Sequence, residues 1–406
     1  MTVGAVSAVA LAASALKAED APKRPAEPSG NLIDAFNVSG FDIYKKLAAA
    51  KKDENVVVSP YSVGMAMSMV LAGARSGTER EMAKVLRQKP PREKMSAACA
   101  ALLDHSNSLS DGETTVLKVA NALCLTKLGD MVSPSYKKLL QDKYRAELFT
   151  AKDTGMINKW VSEKTNGKIK KILYVLNPLS VCVLLNAVYF KGDWENKFEE
   201  RNTGLADFFS AKGETVKAYM MRQTGMFRLL ERETFSVLEM PYVGGKLSML
   251  ILLPKKKGGL AELEKKIDAN LVATLLSATA KTSTRELRLS IPVFEVKHGY
   301  DLIPIFKSLG MELPFGEAAD FSGIAPNGGV FISQIQHKAY LKVDEEGSEA
   351  AAVTAVVVYV GIGDDSPPPP PAFTADHPFI FMIVDRTAGT VLFLGRLADP
   401  AAKNKE

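Results

Sequence analysis

The sequence predicts one large α+β domain, and three observations predict it. Helical spacings dominate the first half and strand-like apolar runs the second. The two kinds of segment do not alternate as β–α–β units. No linker long enough to separate domains follows residue 31. The totals agree: 406 residues, 47% hydrophobic and 24% charged, are ordinary globular values. The domain is assigned to 31–400, with 401–406 as a C-terminal tail.

The elements follow in order. Phe36, Tyr44, Leu47 and Ala48 lie at helical spacing within 31–50. Ser59-Pro60 is an N-cap followed by proline at the first helical position, opening a helix to about Ala74. That helix, YSVGMAMSMVLAGA, has almost no charged face and should be buried nearly all round. Thr78 and Glu81 read as a capping box for the next helix. Residues 133–144 and 155–165 are further helices, the second stopped by Gly167. SVCVLLNAVYF (180–190) has the unbroken apolar character of a strand buried on both faces. FSVLEMPYV and KLSMLILLP flank Gly244-Gly245, a hairpin signal. Residues 285–296 and 329–344 are long strands, and two more near 378–385 and 389–396 close the chain.

In the strand that contains His337, alternation puts Ile335, His337, Ala339, Leu341 and Val343 on one face. Gln336, Lys338, Tyr340 and Lys342 share the other. His337 is therefore a satisfied core histidine or a member of a polar cluster that lets a sheet open.

Composition excludes several classes. A net charge of +5, with 46 acidic residues interspersed among 51 basic ones, does not point to nucleic acid. Lys168, Lys170 and Lys171, and Lys255 to Lys257, read as solvated helix-end or turn charges. Cys99, Cys124 and Cys182 sit in apolar surroundings and read as free buried thiols. Four scattered histidines make no metal site, and no cofactor is expected. There is no G-x-S-x-G, phosphate loop or H-E-x-x-H to support an enzyme. At the N-terminus, residues 3–16 are apolar and small, and Ala13-Ser14-Ala15 fits a cleavage signal. Residues 1–18 are thus a signal peptide or an Ala-rich tail, 19–30 a polar linker, and secretion is expected. No membrane span is expected, because no other segment is long and apolar enough. Asn37-Val38-Ser39 is a glycosylation acceptor in a eukaryotic secretory route.

The unusual stretch is EEGSEAAAVTAVVVYVGIGDDSPPPPP (345–371). Its segment 352–360 is apolar, β-prone and free of charge and proline, a combination prone to aggregation. Such a run is buried in a sheet or held ready for something. Gly347 is a natural hinge. From Ser348 the even positions are small (Ser348, Ala350, Ala352), then β-branched (Thr354, Val356, Val358). A strand slipping between two others over packed helices needs that face, since close-packed interiors tolerate little added volume. Glu345, Glu346, Asp364 and Asp365 flank the run and prolines 367–371 cannot pair in a sheet, so they read as gatekeepers.

HKAYLKVDEEGSEAAAVT (337–354) resembles the hinge signature of the serpins. NVVVSPYSVGMAMSMVLAGARSGTEREM, WVSEKTNGKIKKIL, LLNAVYFKGDWENKF, VLEMPYVGGKLSMLILLP, ADFSGI and ADHPFIFMIVDRTAGTVLFLGRLADP are similar in the same order, over roughly 31–400. The resemblance implies a single domain of three β-sheets and eight or nine helices with an exposed reactive-centre loop, here about 345–372. It implies an irreversible suicide-substrate inhibitor of serine endopeptidases rather than an enzyme. The protease cuts the loop and is trapped as an acyl-enzyme when the loop inserts into the central sheet. Loop insertion is a known example of strand addition and stored strain.

Carried over residue by residue, the hinge is Glu345, Glu346, Gly347, Ser348, Glu349, Ala350, Ala351, Ala352, Val353 and Thr354. Val353 replaces the more usual alanine. Ser59, Ser62, Asn186 and His337 match the polar "shutter" group, and Trp194 the "breach" tryptophan near the loop's entry. Ser59 is also simply an N-cap. Counting from the hinge places the reactive bond at Gly361-Ile362, with Tyr359 and Val360 as neighbouring candidates. The segment before HPF is several residues longer than the common length. Small or apolar residues there imply an elastase- or subtilisin-like partner, with chymotrypsin-like cleavage open through Tyr359. A monomer is expected. The other readings are a non-inhibitory serpin-fold binding or chaperone protein, or an inhibitor of papain-like cysteine proteases.

Overall fold

The computed structural model describes residues 32–88, 92–125, 131–176, 182–348 and 368–401. Among them the helices are α1 (Leu32–Ala50), α2 (Pro60–Gly73), α3 (Ser76–Val85), α4 (Arg92–Ser108), α5 (Pro134–Leu139), α6 (Thr154–Lys164), α7 (Leu260–Lys266), α8 (Ala269–Lys281) and α9 (Ile303–Ser308). The strands of the first half are β1 (Val56–Val58), β2 (Thr115–Leu125), β3 (Glu147–Thr150), β4 (Cys182–Asp193) and β5 (Gly204–Phe209). Then come β6 (Thr215–Glu231), β7 (Phe235–Pro241), β8 (Leu247–Pro254), β9 (Arg285–Pro292) and β10 (Phe294–Asp301). The last are β11 (Ile332–Val343), β12 (Gly347–Ser348), β13 (Ala372–Thr374), β14 (Phe379–Asp385) and β15 (Val391–Leu397).

The strands make three sheets. The central one has the order β10-β11-β4-β2-β3, with β12 added on β4. Strand β6 is long enough to serve the other two. It pairs with β5 and β9 over most of its length and with β7 through Arg228 to Glu231. From there β7, β8, β14, β15 and β1 follow in order. The β7–β8 hairpin turns at Gly244 and Gly245, whose φ values of +84° and +64° are those a primed turn demands.

Helix α2 is buried at every position, as its uncharged sequence requires. Ser59 caps it, Oγ accepting from the Ser62 amide at 3.1 Å, with Pro60 at the first position. The even residues of β4 (Leu184, Val188, Phe190) join α2 and β14–β15 in the main core. The odd ones (Val183, Leu185, Ala187, Tyr189) face a second core under Ile157, Trp160 and Val161 of α6. The segment after α6 straps across this second face, where Lys338 Nζ donates to the Lys171 carbonyl at 2.8 Å.

Several expectations change. Thr78 and Glu81 do not form a capping box, because α3 starts at Ser76 and leaves both inside it. Their side chains reach out instead. Thr78 Oγ1 accepts from the Asp320 amide, and Glu81 Oε2 from the amides of Glu312 and Leu313. The run 285–296 is not one strand. It breaks at Val293 between β9 and β10, which lie in different sheets. Asn37 is buried in α1. Its amide donates to the Gly389 carbonyl (2.8 Å) and accepts from the Val391 amide (3.0 Å), so the folded chain presents no acceptor there. The three cysteines are free and buried.

Candidate functional site: a slit in the central sheet

Strands β4 and β11 are the parallel neighbours at the centre of an otherwise mostly antiparallel sheet. Their pairing runs from Cys182 opposite Ile332 to Tyr189 opposite Tyr340 and then stops. Beyond that point β4 continues to Asp193 and β11 to Val343 without pairing each other. The other edge of β4 is occupied by β2 as far as Gly192, opposite Thr115. Strand β12 pairs antiparallel with the top of β4, Gly347 opposite Asp193 and Ser348 opposite Gly192. It therefore lies on the free edge of β4, in the mouth of a slit between β4 and β11.

Beneath the slit, on the α2 side, lies a polar cluster in an otherwise apolar core. The sequence-predicted Ser59, Ser62, Asn186 and His337 all belong to it. His337 Nδ1 donates to Asn186 Oδ1 at 2.5 Å. Its Nε2 accepts from the Ser59 amide at 3.3 Å, so the ring is neutral with the proton on Nδ1. Asn186 Nδ2 faces Ser62 Oγ (2.5 Å), the Ser62 carbonyl (3.0 Å) and Asn121 Oδ1 (2.6 Å). Asn121 was missed. The only signal was a polar residue within the apolar run VANALCL; register places it opposite Asn186. Burial holds the His337 pKa down to about 3, because a charged imidazolium would be desolvated. Adding its second proton would also set two donors face to face at Ser59.

At the mouth of the slit Trp194 stacks on Tyr242, ring centroids 4.6 Å apart at 12°. Trp194 Nε1 donates to the Asp344 carbonyl at 3.0 Å, and its amide to the Glu346 carbonyl at 2.8 Å. The Phe198 amide donates to the Glu345 carbonyl at 2.8 Å. Ser348 is fully buried, its Oγ 2.8 Å from the Tyr242 hydroxyl. Tyr242, also missed, lies near the end of the strand run FSVLEMPYV, where nothing local marks it; only tertiary contact gives it a role.

Two observations bear on the hinge. Gly347 needs glycine on two counts: its φ is +158°, and a Cβ at that position would lie 2.0 Å from the Gly192 carbonyl oxygen. Glu346, read from sequence as a hinge residue and a flanking gatekeeper, sits at the mouth of the slit. It is 8% exposed and pairs with Lys197 at 2.5 Å. Glu349, Ala350, Ala351, Ala352, Val353, Thr354, Tyr359, Val360, Gly361 and Ile362 lie outside the described residues. The chain returns at Pro368, and Arg288 binds the carbonyls of Pro370 and Pro371 beside β13.

Residues 34–400 match the family model described as Serpin (serine protease inhibitor). An uncharacterized serpin-like protein of Thermococcus kodakarensis is 36% identical over 377 residues, covering 91% of this chain and 86% of that one. The leukocyte elastase inhibitor of Sus scrofa is 34% identical over 373 residues, covering 88% and 97%. Among solved structures, human thyroxine-binding globulin superposes with a TM-score of 0.82 at 26% identity, covering 92% of this chain and 99% of that one.

Proposed function

The chain belongs to the serpin family, and from that premise we propose that it is a single-use, irreversible inhibitor of serine endopeptidases. Members of the family are protease inhibitors rather than enzymes, and inhibitory relatives match this chain. The observation that carries the reading is the register of β12 in the slit. Continued by sequence alone, that register sets Ala350 opposite Phe190, Ala352 opposite Val188, Thr354 opposite Asn186 and Val356 opposite Leu184. Alanines meet the bulky residues near the entry. Threonine meets the polar cluster, and valines meet the apolar bottom. Pairing would end with Val358 opposite Cys182, where β4 begins.

The chemistry follows. The serine oxygen of the protease adds to the Gly361 carbonyl, and the Gly361–Ile362 bond breaks. Ile362 leaves with a new amino terminus, and an ester joins Gly361 to the enzyme. Residues 349–358 then enter the slit as a strand about 33 Å long. Each gains ladder hydrogen bonds at roughly 1 kcal/mol net, on the order of 10 kcal/mol in all. The ester is carried away from where it formed, and water no longer completes its hydrolysis in a distorted active site. The uncleaved form is then held by a kinetic barrier. Elastase- and subtilisin-like enzymes fit the small or apolar residues at 360–362, in line with a relative named for leukocyte elastase. Secretion is proposed on the N-terminal sequence alone, and N-terminal sequencing of exported protein tests it.

The test is incubation with elastase and subtilisin. The expected product is an SDS-stable adduct with release of a C-terminal peptide beginning at Ile362. Cleavage without an adduct would refute inhibition. It would favour the second reading, a binding protein, which the likeness to thyroxine-binding globulin supports. An adduct with a papain-like enzyme alone would move the target class.

A further inference from the structure

We propose that Lys197 is a positioning residue that locks the hinge residues Gly347 and Ser348 into the slit of the uncleaved molecule, so that β12 is a preformed seed for insertion. The proposal rests on the inhibitor reading above for its kinetic consequence, not for the lock itself. The Lys197 ammonium lies 2.5 Å from Glu346 Oε2 and 3.4 Å from Asp193 Oδ2. These carboxylates flank the junction of the two strands: Asp193 ends β4, and Glu346 immediately precedes β12, whose Gly347 pairs with Asp193. Both acids are nearly shielded from water, with side chains 10% and 13% exposed. Asp193 Oδ1 is buried without a hydrogen-bond partner, and its other cation, Lys191, is 3.9 Å away. The Glu346 contact is also the main reason the Lys197 pKa is raised.

The arrangement differs from an ordinary surface ion pair. Removing the Lys197 ammonium leaves Glu346 without that cation and Asp193 with only the more distant Lys191, two poorly hydrated carboxylates on either side of the pairing of β12 with β4. Repulsion there opposes docking. With the lock in place, the Ser348–Tyr242 hydrogen bond and the two backbone bonds from Trp194 and Phe198 hold Ser348, Glu346 and Glu345 on either side of Gly347. Insertion after cleavage then propagates from an existing pair instead of forming its first contacts afresh, the costly part of any cooperative zipper.

The test has two arms on the intact protein. Amide hydrogen exchange of residues 345–348 reads docking without any protease. Lys197→Met should speed it about tenfold, equivalent to ~1.4 kcal/mol, while Lys197→Arg leaves it as in the wild type. Glu346→Gln in the Lys197→Met background should slow it again by relieving the repulsion. Wild-type exchange should rise between 50 mM and 1 M salt, and that of Lys197→Met should not. Unchanged exchange in Lys197→Met, or an additive double variant, overturns the lock. The second arm is the number of inhibitor molecules consumed per protease trapped, expected to rise at least about twofold in Lys197→Met as slow insertion lets hydrolysis compete. Faster exchange with unchanged stoichiometry overturns the seeding role. If wild type and variant alike trap no protease, the inhibitor reading has failed, and the exchange arm alone still decides the lock.

Discussion

Lowering the pH should loosen the centre of the molecule through His337, by an amount that follows from its buried pKa. The buried ring has a pKa of about 3, against about 6.5 for an unfolded histidine. Between those values the unfolded chain binds a proton that the native state refuses, so native stability rises with pH across that window. The contribution is fully present above pH 6.5, is lost as pH falls, and bottoms out near pH 3 at a ceiling of about 5 kcal/mol. At pH 5 the loss is about 2 kcal/mol. Unfolding of a kinetically held fold is read as a rate, so that loss is up to about thirtyfold in the unfolding rate. The assay is unfolding in denaturant at pH 7.5 and 5.0 for the wild type and His337→Gln. Glutamine has a donor and an acceptor but no proton to gain, and His105, His298 and His377 are common to both proteins. The wild type should accelerate on acidification by up to about thirtyfold more than the variant. Equal acceleration in both would refute the claim that burial keeps His337 neutral.

Three further outcomes are expected. Gly347→Ala places a methyl group against the Gly192 carbonyl, so exchange of the 345–348 amides should rise at least about tenfold, measured by mass spectrometry. Asn37→Ala strands the Gly389 carbonyl and the Val391 amide. At ~1–2 kcal/mol each, and with ~0.8 kcal/mol per degree for a domain this size, the melting temperature should fall by about 3–5 °C. The thiols should resist a disulfide reagent at pH 8 and react three per chain in denaturant. Burial pushes Cys99 up to about 12, Cys124 up to about 11 and Cys182 higher still.

Much of this was legible where one physical signal sufficed. Helix α2 was read from its cap and its lack of a charged face, and β11 from its alternation, because local chemistry alone decides both. The four polar residues under the slit were read through the family resemblance. The hydrogen bonds that unite them depend on the register of β2, β4 and β11, which periodicity does not fix. Thr78 and Glu81 fit a capping box by spacing and were drawn away by the backbone at 312–320, a partner far off in sequence. The break at Val293 was invisible because β9 and β10 are both β-prone, and only their different sheets separate them. Lys197 carries no local signal in the sequence, and Glu346 reads only as a hinge and flanking residue. Their pairing needs the turn at Trp194 and the hinge to meet, 149 residues apart.

The most direct test is the melting temperature of the chain before and after a nick near residue 361. Strand entry worth on the order of 10 kcal/mol, divided by ~0.8 kcal/mol per degree, predicts a rise of about 10 °C or more in the nicked protein. A nicked chain that melts where the intact one does would mean that the slit between β4 and β11 admits no strand.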